Sequence, residues 1–119
     1  ILDKGLKDAL KRAEAYSQAG ADAILINSKE KHPKEIFAFA NKFKKSKHFK
    51  PMISVPSTYS RTKEKELIKN GFKIVIYANH FLRAVYPAML NVAKNILKYQ
   101  RSFEVEKNIF TEKEILNLI

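Results

Sequence analysis

Three short apolar runs, each closing on a polar cluster, constrain this chain more than any other feature. Ala23-Ile24-Leu25-Ile26 leads into Asn27-Ser28-Lys29, Met52-Ile53-Ser54-Val55 into Pro56-Ser57-Thr58-Tyr59, and Ile74-Val75-Ile76-Tyr77 into Ala78-Asn79-His80. The first run is continuously apolar rather than alternating, which suits a strand buried on both faces of a parallel sheet. Each interval between runs holds room for one crossover helix, which parallel neighbours require. Parallel α/β enzymes place their chemistry at the carboxyl ends of their strands, where these polar clusters fall.

The intervening segments carry helical periodicity. Residues 4–19 put Leu6, Ala9, Leu10, Ala13 and Tyr16 on one face, with Asp3 as a cap and Gly20 as a stop. Strands are expected over Asp22–Ser28, Pro51–Val55 and Phe72–Ala78. Pro33 fits the first turn of a second helix that buries Ile36, Phe37, Phe39, Ala40 and Phe43. Thr62 is a candidate cap for a short helix through Asn70, stopped by Gly71. A long helix then aligns Leu82, Val85, Met89, Ala93, Ile96 and Leu97, and Pro87 predicts a kink or a join between two helices. Thr111 and Glu114 form a capping box ahead of the apolar Ile115, Leu116, Leu118 and Ile119. The pattern is α/β and fits either a doubly wound sheet or part of a (β/α)8 barrel. A whole barrel takes about 250 residues. The 119 residues form one partial domain, with βα units over 1–101 and a connection plus terminal helix over 102–119.

Charge and composition bound the function classes. The formal charge is +11, from 23 Lys and Arg against 12 Asp and Glu. Such a surface can attract nucleic acid or another polyanion, so a basic binding module without catalysis is the alternative from a different class. The cations are spread along helices, however. The densest stretch, Lys42 to Lys50, offers little aromatic platform once Phe43 is used in a helix core. Nucleic acid is therefore the less favoured partner. With no Cys there is no disulfide scaffold or thiol chemistry, which fits a reducing cytoplasm. No apolar run approaches the ~20 residues of a membrane span. The absence of an initiator Met reads as a partial chain. Three open-edged parallel strands would favour self-association in isolation.

Several stretches together resemble one family. They are GLKDALKRAEAYSQAGADAILINSK over residues 5–29, PMISVPSTYSRTKEKELIKNGFKIVIYANHFLRAVYPAM over residues 51–89, and EKNIFTEKEILNLI over residues 106–119. The combination of VPSTY with IYANHFLRA resembles the phosphoenolpyruvate mutase branch of the isocitrate lyase superfamily. It is more similar to phosphoenolpyruvate mutase or phosphonopyruvate hydrolase than to the lyases. The resemblance implies the last three strands of a (β/α)8 barrel. It also implies Mg2+-dependent chemistry on a 2-oxo acid or phosphonate, as phosphoenolpyruvate and phosphonopyruvate interconvert. It further implies a homo-oligomer whose paired subunits exchange the terminal helix over 111–119. The family's metal-binding carboxylates, its gating loop and one Arg belong to strands that precede this sequence. The isolated chain is accordingly expected to be inactive, with no metal ligands of its own.

The candidate site follows the strand ends. Asn27 stands where the resemblance implies a His. An amide can donate a hydrogen bond to an oxyanion but carries no proton charge near neutral pH. Ser28 offers a hydroxyl and a backbone N–H beside it, although Asn and Ser also favour plain strand-to-helix turns. Ser57 and Thr58, with Tyr59, can bond a carboxylate or phosphoryl oxygen, or cap their own Pro-initiated turn. Asn79 is a candidate pocket residue. His80 and Arg83 are support candidates with a structural alternative, tying the helix start to neighbouring loops. His32 and His48 read as surface residues, and no Walker or dinucleotide fingerprint occurs.

Overall fold

The apolar runs become three parallel strands whose register sets everything around them. The computed structural model describes residues 4–118. Strands β1 (Ile24–Ile26), β2 (Met52–Ser54) and β3 (Phe72–Val75) lie in the order β1-β2-β3, all parallel. Ile24 pairs with Met52 and Met52 with Phe72, while Ile26 pairs with Ser54 and Ser54 with Val75. One face of the sheet is thereby buried through Ile24, Ile26, Met52, Ser54 and Phe72. On the opposite face Leu25 and Ile74 stay about half exposed, at 53% and 46%. Burial on both faces, expected from the continuous apolar run, is not what the first strand shows within the chain. Between Met52 and Ile53 the register shifts, because Phe72 pairs with Met52 but Ile74 with Ile53. Lys73 is the extra residue of that bulge, which lets a cation sit in an otherwise apolar strand.

Helices α1 (Gly5–Gln18), α2 (Lys34–Phe43) and α3 (Glu64–Lys69) alternate with the strands. The core joins Ala9 and Ala13 of α1 to Ile36, Phe39, Ala40 and Phe43 of α2, the inward strand residues, Tyr59 and Leu67. Phe39 and Phe43, one helical turn apart, stack at 5.4 Å between ring centroids. The α1 face departs from expectation in one respect. Tyr16 is exposed at 54% and Ser17 takes the buried place, completing a four-residue spacing from Ala9 and Ala13. Small side chains at that spacing leave space for α2 to approach closely.

Chain breaks follow local chemistry. Gly20 adopts φ +100°, and Gly20 and Ala21 donate to the carbonyls of Ser17 and Tyr16 at 3.3 and 3.0 Å. This pair of bonds satisfies the last orphan carbonyls of α1. The expected cap Asp3 lies outside the described residues. Pro33 sits at the N-cap of α2 rather than inside its first turn. Lys63, not Thr62, precedes α3, and its N–H donates to the Glu66 carboxylate at 3.2 Å. Glu66 therefore fixes the helix start by reaching back, which needs no hydroxyl at the cap.

The chain divides into two units, Ile1–Ala78 and Asn79–Ile119. In the second unit, α4 (His80–Tyr99) runs unbroken through Pro87. Proline removes one N–H, leaving the Arg83 carbonyl without its helical donor, but does not divide the element. Gln100 ends α4 in the left-handed region at φ 55°. The following connection holds a 3-10 turn, Glu106–Asn108, and buries Val105. Helix α5 (Glu112–Leu116) opens with the expected capping box: Thr111 N–H donates to Glu114 at 2.8 Å, and Glu114 N–H to the Thr111 hydroxyl at 3.2 Å.

Gly71 closes α3 at φ +90° immediately before β3. A Cβ there would meet the end of the Lys44 side chain and lie 3.3 Å from Met52 Cε. Lys44 can swing aside, so the backbone conformation dominates the cost. Gly71→Ala is expected to destabilise the chain by about 1–2 kcal/mol. Urea unfolding followed by far-UV circular dichroism measures it, and an unchanged midpoint would refute the reading.

Candidate functional site

The parallel strands β1 and β2 deliver the polar clusters that follow them to the same end of the sheet. The loop after β1 starts at Asn27, which is exposed. Its Oδ1 accepts the N–H of Ser28 at 2.9 Å, so the side chain folds back on its own turn and gains a defined direction. Ser28 itself is buried at 3%. Its hydroxyl donates to the Glu35 carboxylate in the first turn of α2 and accepts the Glu30 N–H at 3.1 Å. Ser28 thus ties the loop to the helix it leads into.

The loop after β2 reaches across to the same residue. Thr58 Oγ1 donates to the Ser28 carbonyl at 2.6 Å. That bond joins the two consecutive strand-to-helix loops through one backbone oxygen. Ser57 stands beside it, half-buried, with its N–H on the Val55 carbonyl at 2.8 Å. Tyr59 turns inward instead of joining Ser57 and Thr58 in a polar cluster. It is fully buried, and its hydroxyl lies 3.0 Å from Ser54 Oγ in the core. Burial raises the Tyr59 pKa above the ordinary phenol value, with the Ser54 bond acting in the opposite direction. The phenol stays neutral at physiological pH and anchors the loop to β2.

Of the sequence-derived candidates, Ser28 and Thr58 are in direct contact, Asn27 is bonded to Ser28, and Ser57 adjoins Thr58 in the chain. Asn79, His80 and Arg83 belong to the second unit, where Asn79 is the N-cap of α4 and its carbonyl accepts the Arg83 N–H at 3.0 Å. Two features escaped the sequence reading. Glu35 was not recognisable as the partner of Ser28, because their meeting depends on how the loop between them turns. A cleft lined by Lys31, His32 and Arg61 has no local sequence signature either, since its residues come from different loops. The only available signal was a cation in each loop.

Among the described residues no group of three or more His, Asp or Glu side chains could hold a metal ion. Nor is any described helix long and apolar enough to cross a membrane.

Comparison with known proteins agrees with this fold. A family model described as phosphoenolpyruvate phosphomutase matches residues 1–97. Phosphoenolpyruvate phosphomutase of Tetrahymena pyriformis is 43% identical over 118 residues, covering 99% of this chain and 38% of that protein. Phosphonopyruvate hydrolase of Variovorax sp. (strain Pal2) is 36% identical over 119 residues, covering 99% of this chain and 40% of the relative. The chain thus spans about two fifths of the length of these relatives. The crystal structure of a phosphoenolpyruvate phosphomutase from Streptomyces platensis subsp. rosaceus superposes with TM-score 0.82 at 37% identity, over 96% of this chain and 39% of that one. A phosphonopyruvate hydrolase in complex with oxalate and Mg++ superposes with TM-score 0.79 at 36% identity, over 96% of this chain and 40% of the other. The three-stranded sheet with its helices therefore corresponds to part of a (β/α)8 barrel.

Thr58→Val, which keeps the shape and removes the donor, is expected to leave the Ser28 carbonyl unsatisfied. The cost should be about 1–3 kcal/mol. Faster amide exchange in residues 27–30 and 57–60, restored by Thr58→Ser, is the measurement; uniform protection in all three proteins would show that the loops are held by other means.

Proposed function

Since this chain belongs to the phosphoenolpyruvate phosphomutase family, we propose that the complete protein interconverts phosphoenolpyruvate and phosphonopyruvate. In that isomerisation a P–O bond breaks as a C–P bond forms, or the reverse, with no net change in composition. The observation that carries the reading is the family match over residues 1–97 on parallel strands whose loops bear Asn27, Ser57 and Thr58.

Asn27 is assigned a substrate contact. Its amide is a neutral donor where the family resemblance implies His, so it offers an oxyanion a hydrogen bond without a full positive charge. The bond from Ser28 N–H to Asn27 Oδ1 orients that amide. Ser57 and Thr58 shape the loop beside it. Thr58 spends its proton on Ser28, so it acts toward a substrate through its oxygen lone pairs or its methyl group. Ser28 is assigned to the pocket as the residue that sets the direction of Asn27, because its hydroxyl serves Glu35 and its N–H serves the Asn27 amide oxygen. In the second unit Asn79 is a proposed substrate contact, with His80 and Arg83 supporting the helix start.

Magnesium is the metal that the family resemblance implies. The residues described here do not fit it, because no cluster of ligands is formed. Self-association through the segment over 111–119, in which α5 spans Glu112–Leu116, is supported by the exposure of Ile115, Leu116 and Leu118. A cytoplasmic location rests on the absence of cysteine.

Hydrolysis of phosphonopyruvate to pyruvate and phosphate is the second reading, favoured by the 36% identity to a phosphonopyruvate hydrolase. Phosphorus NMR of the complete protein with phosphonopyruvate separates the two. The phosphoenolpyruvate resonance is expected to appear; inorganic phosphate alone would establish the hydrolase, and an unchanged phosphonate signal would overturn both. Asn27→Ala should lower kcat/KM by about 10- to 100-fold, as expected when one donor to a charged oxygen is lost. Wild-type turnover in that variant would remove Asn27 from the site.

A further inference from the structure

The loops after β1 and β2 enclose a cavity of about 320 Å³ lined by Lys31, His32, Thr58, Ser60 and Arg61. A second cavity of about 610 Å³ shares Lys31, His32 and Arg61 with it. This larger space extends between α2 and α3, past Pro33 and Phe37 to Thr62, Glu66, Lys69 and Asn70. Asn27 and Ser57 line neither cavity. We propose that the two spaces form one cleft that binds a small phosphate monoester, its phosphate between Lys31 and Arg61 and its organic body along Pro33 and Phe37. The inference goes beyond the proposed reaction and does not require it.

Three observations carry it. The first is the donor set. The smaller cavity has no carboxylate on its wall, while Lys31, Arg61 and Ser60 are all hydrogen-bond donors. Among the described residues Lys31 and Arg61 have no carboxylate partner within ion-pair distance. Their charge is thus not already neutralised by the protein. An Arg fork beside a Lys ammonium matches a phosphate group, which accepts paired N–H donors from the first and a point charge from the second.

Shape is the second. A volume near 320 Å³ holds a small anion, at the lower end of the range for small-molecule sites. Long polyanions need an extended basic track, whereas the cations lining the two cavities are Lys31, Arg61 and Lys69, with His32 beside them.

The walls are the third. Phe37 and Pro33 give the larger cavity an apolar side next to the cationic one. Glu66 is its one carboxylate, and one of that group's oxygens accepts the Lys63 N–H at 3.2 Å. Bare phosphate would leave the apolar side unused, so a monoester with a flat or short organic group fits better. Thr58 borders the smaller cavity with its hydroxyl proton held by the Ser28 carbonyl, and so defines the wall without donating to the anion.

The test is a titration of the complete protein with phenyl phosphate, inorganic phosphate and phenol at constant ionic strength, followed by amide NMR. Phenyl phosphate is expected to saturate, shifting Lys31, Ser60, Arg61 and Lys69; phosphate should bind more weakly at the same residues, and phenol not at all. Arg61→Gln and Lys31→Gln should each weaken phenyl phosphate by about tenfold, the loss of one charge-assisted contact. Lys45→Gln removes the same charge from the dense basic stretch and should change nothing. All three residues are exposed, so spectra away from the cleft should stay native. Equal weakening by Lys45→Gln, or an oligonucleotide that competes with an affinity set by salt alone, would reveal generic charge attraction and overturn the proposal. Failure of phenyl phosphate to saturate would do the same, whatever the reaction assay shows.

Discussion

The parallel register of β1, β2 and β3 is the constraint on which the remainder of the first unit depends. Pairing Ile24 with Met52, and Met52 with Phe72, turns one row of side chains toward the helices. Because the strands run in one direction, their following loops emerge at one end. A one-residue slip would expose Ile24 and Ile26 and bury Leu25, exchanging the faces of that strand. The same slip would carry Asn27 to a new orientation relative to the β2 loop. Loop geometry and core packing are therefore fixed by the same pairing.

Two polar contacts transmit that register to the loops. Ser54 is an inward-facing strand residue, and a lone buried hydroxyl there would be costly. Tyr59 resolves this by bringing its own hydroxyl to 3.0 Å from Ser54 Oγ. The ring fills the core while its chain position ties the β2 loop down. Thr58, the preceding residue, then reaches the Ser28 carbonyl at 2.6 Å. A path thus runs from the strand interior through Tyr59 and Thr58 to the turn that carries Asn27. Rigidity at such a turn favours recognition, since an oriented donor loses less entropy on engaging a substrate.

What was legible in the sequence followed from local rules. Strand positions came from apolar runs, and the end of α1 from Gly20, where φ +100° suits a residue without a side chain. The Thr111–Glu114 capping box is likewise a contact between near neighbours. What was not legible depended on tertiary choices. Tyr16 and Ser17 are adjacent, and hydrophobicity favours burying Tyr16; the close approach of α2 buries Ser17 instead. The bulge at Lys73 depends on the partner strand, and no property of Phe72–Val75 alone reveals it. In the candidate site, Asn27 and Thr58 were recognisable as polar residues after strands. The inward turn of Tyr59 was not, because it answers a need created by Ser54 five positions earlier.

The uncovered face of the sheet explains why so apolar a set of strands can still belong to an orderly fold. Leu25 and Ile74 lie in one paired row with Ile53, opposite the face occupied by the helices. In a (β/α)8 barrel the helix-facing side lies outside the strand cylinder and the other side fills its interior. The match at TM-score 0.82 to a chain of which only 39% is covered places these strands in such a cylinder. Continuous apolar sequence is thus satisfied by two kinds of neighbour. The helices of this segment supply the first, and in the matched structures the other strands of the cylinder supply the second. The one-sided burial seen here is the expected appearance of a barrel wall considered by itself, and the polar residues at its rim keep their positions because the helix-facing side alone fixes the register.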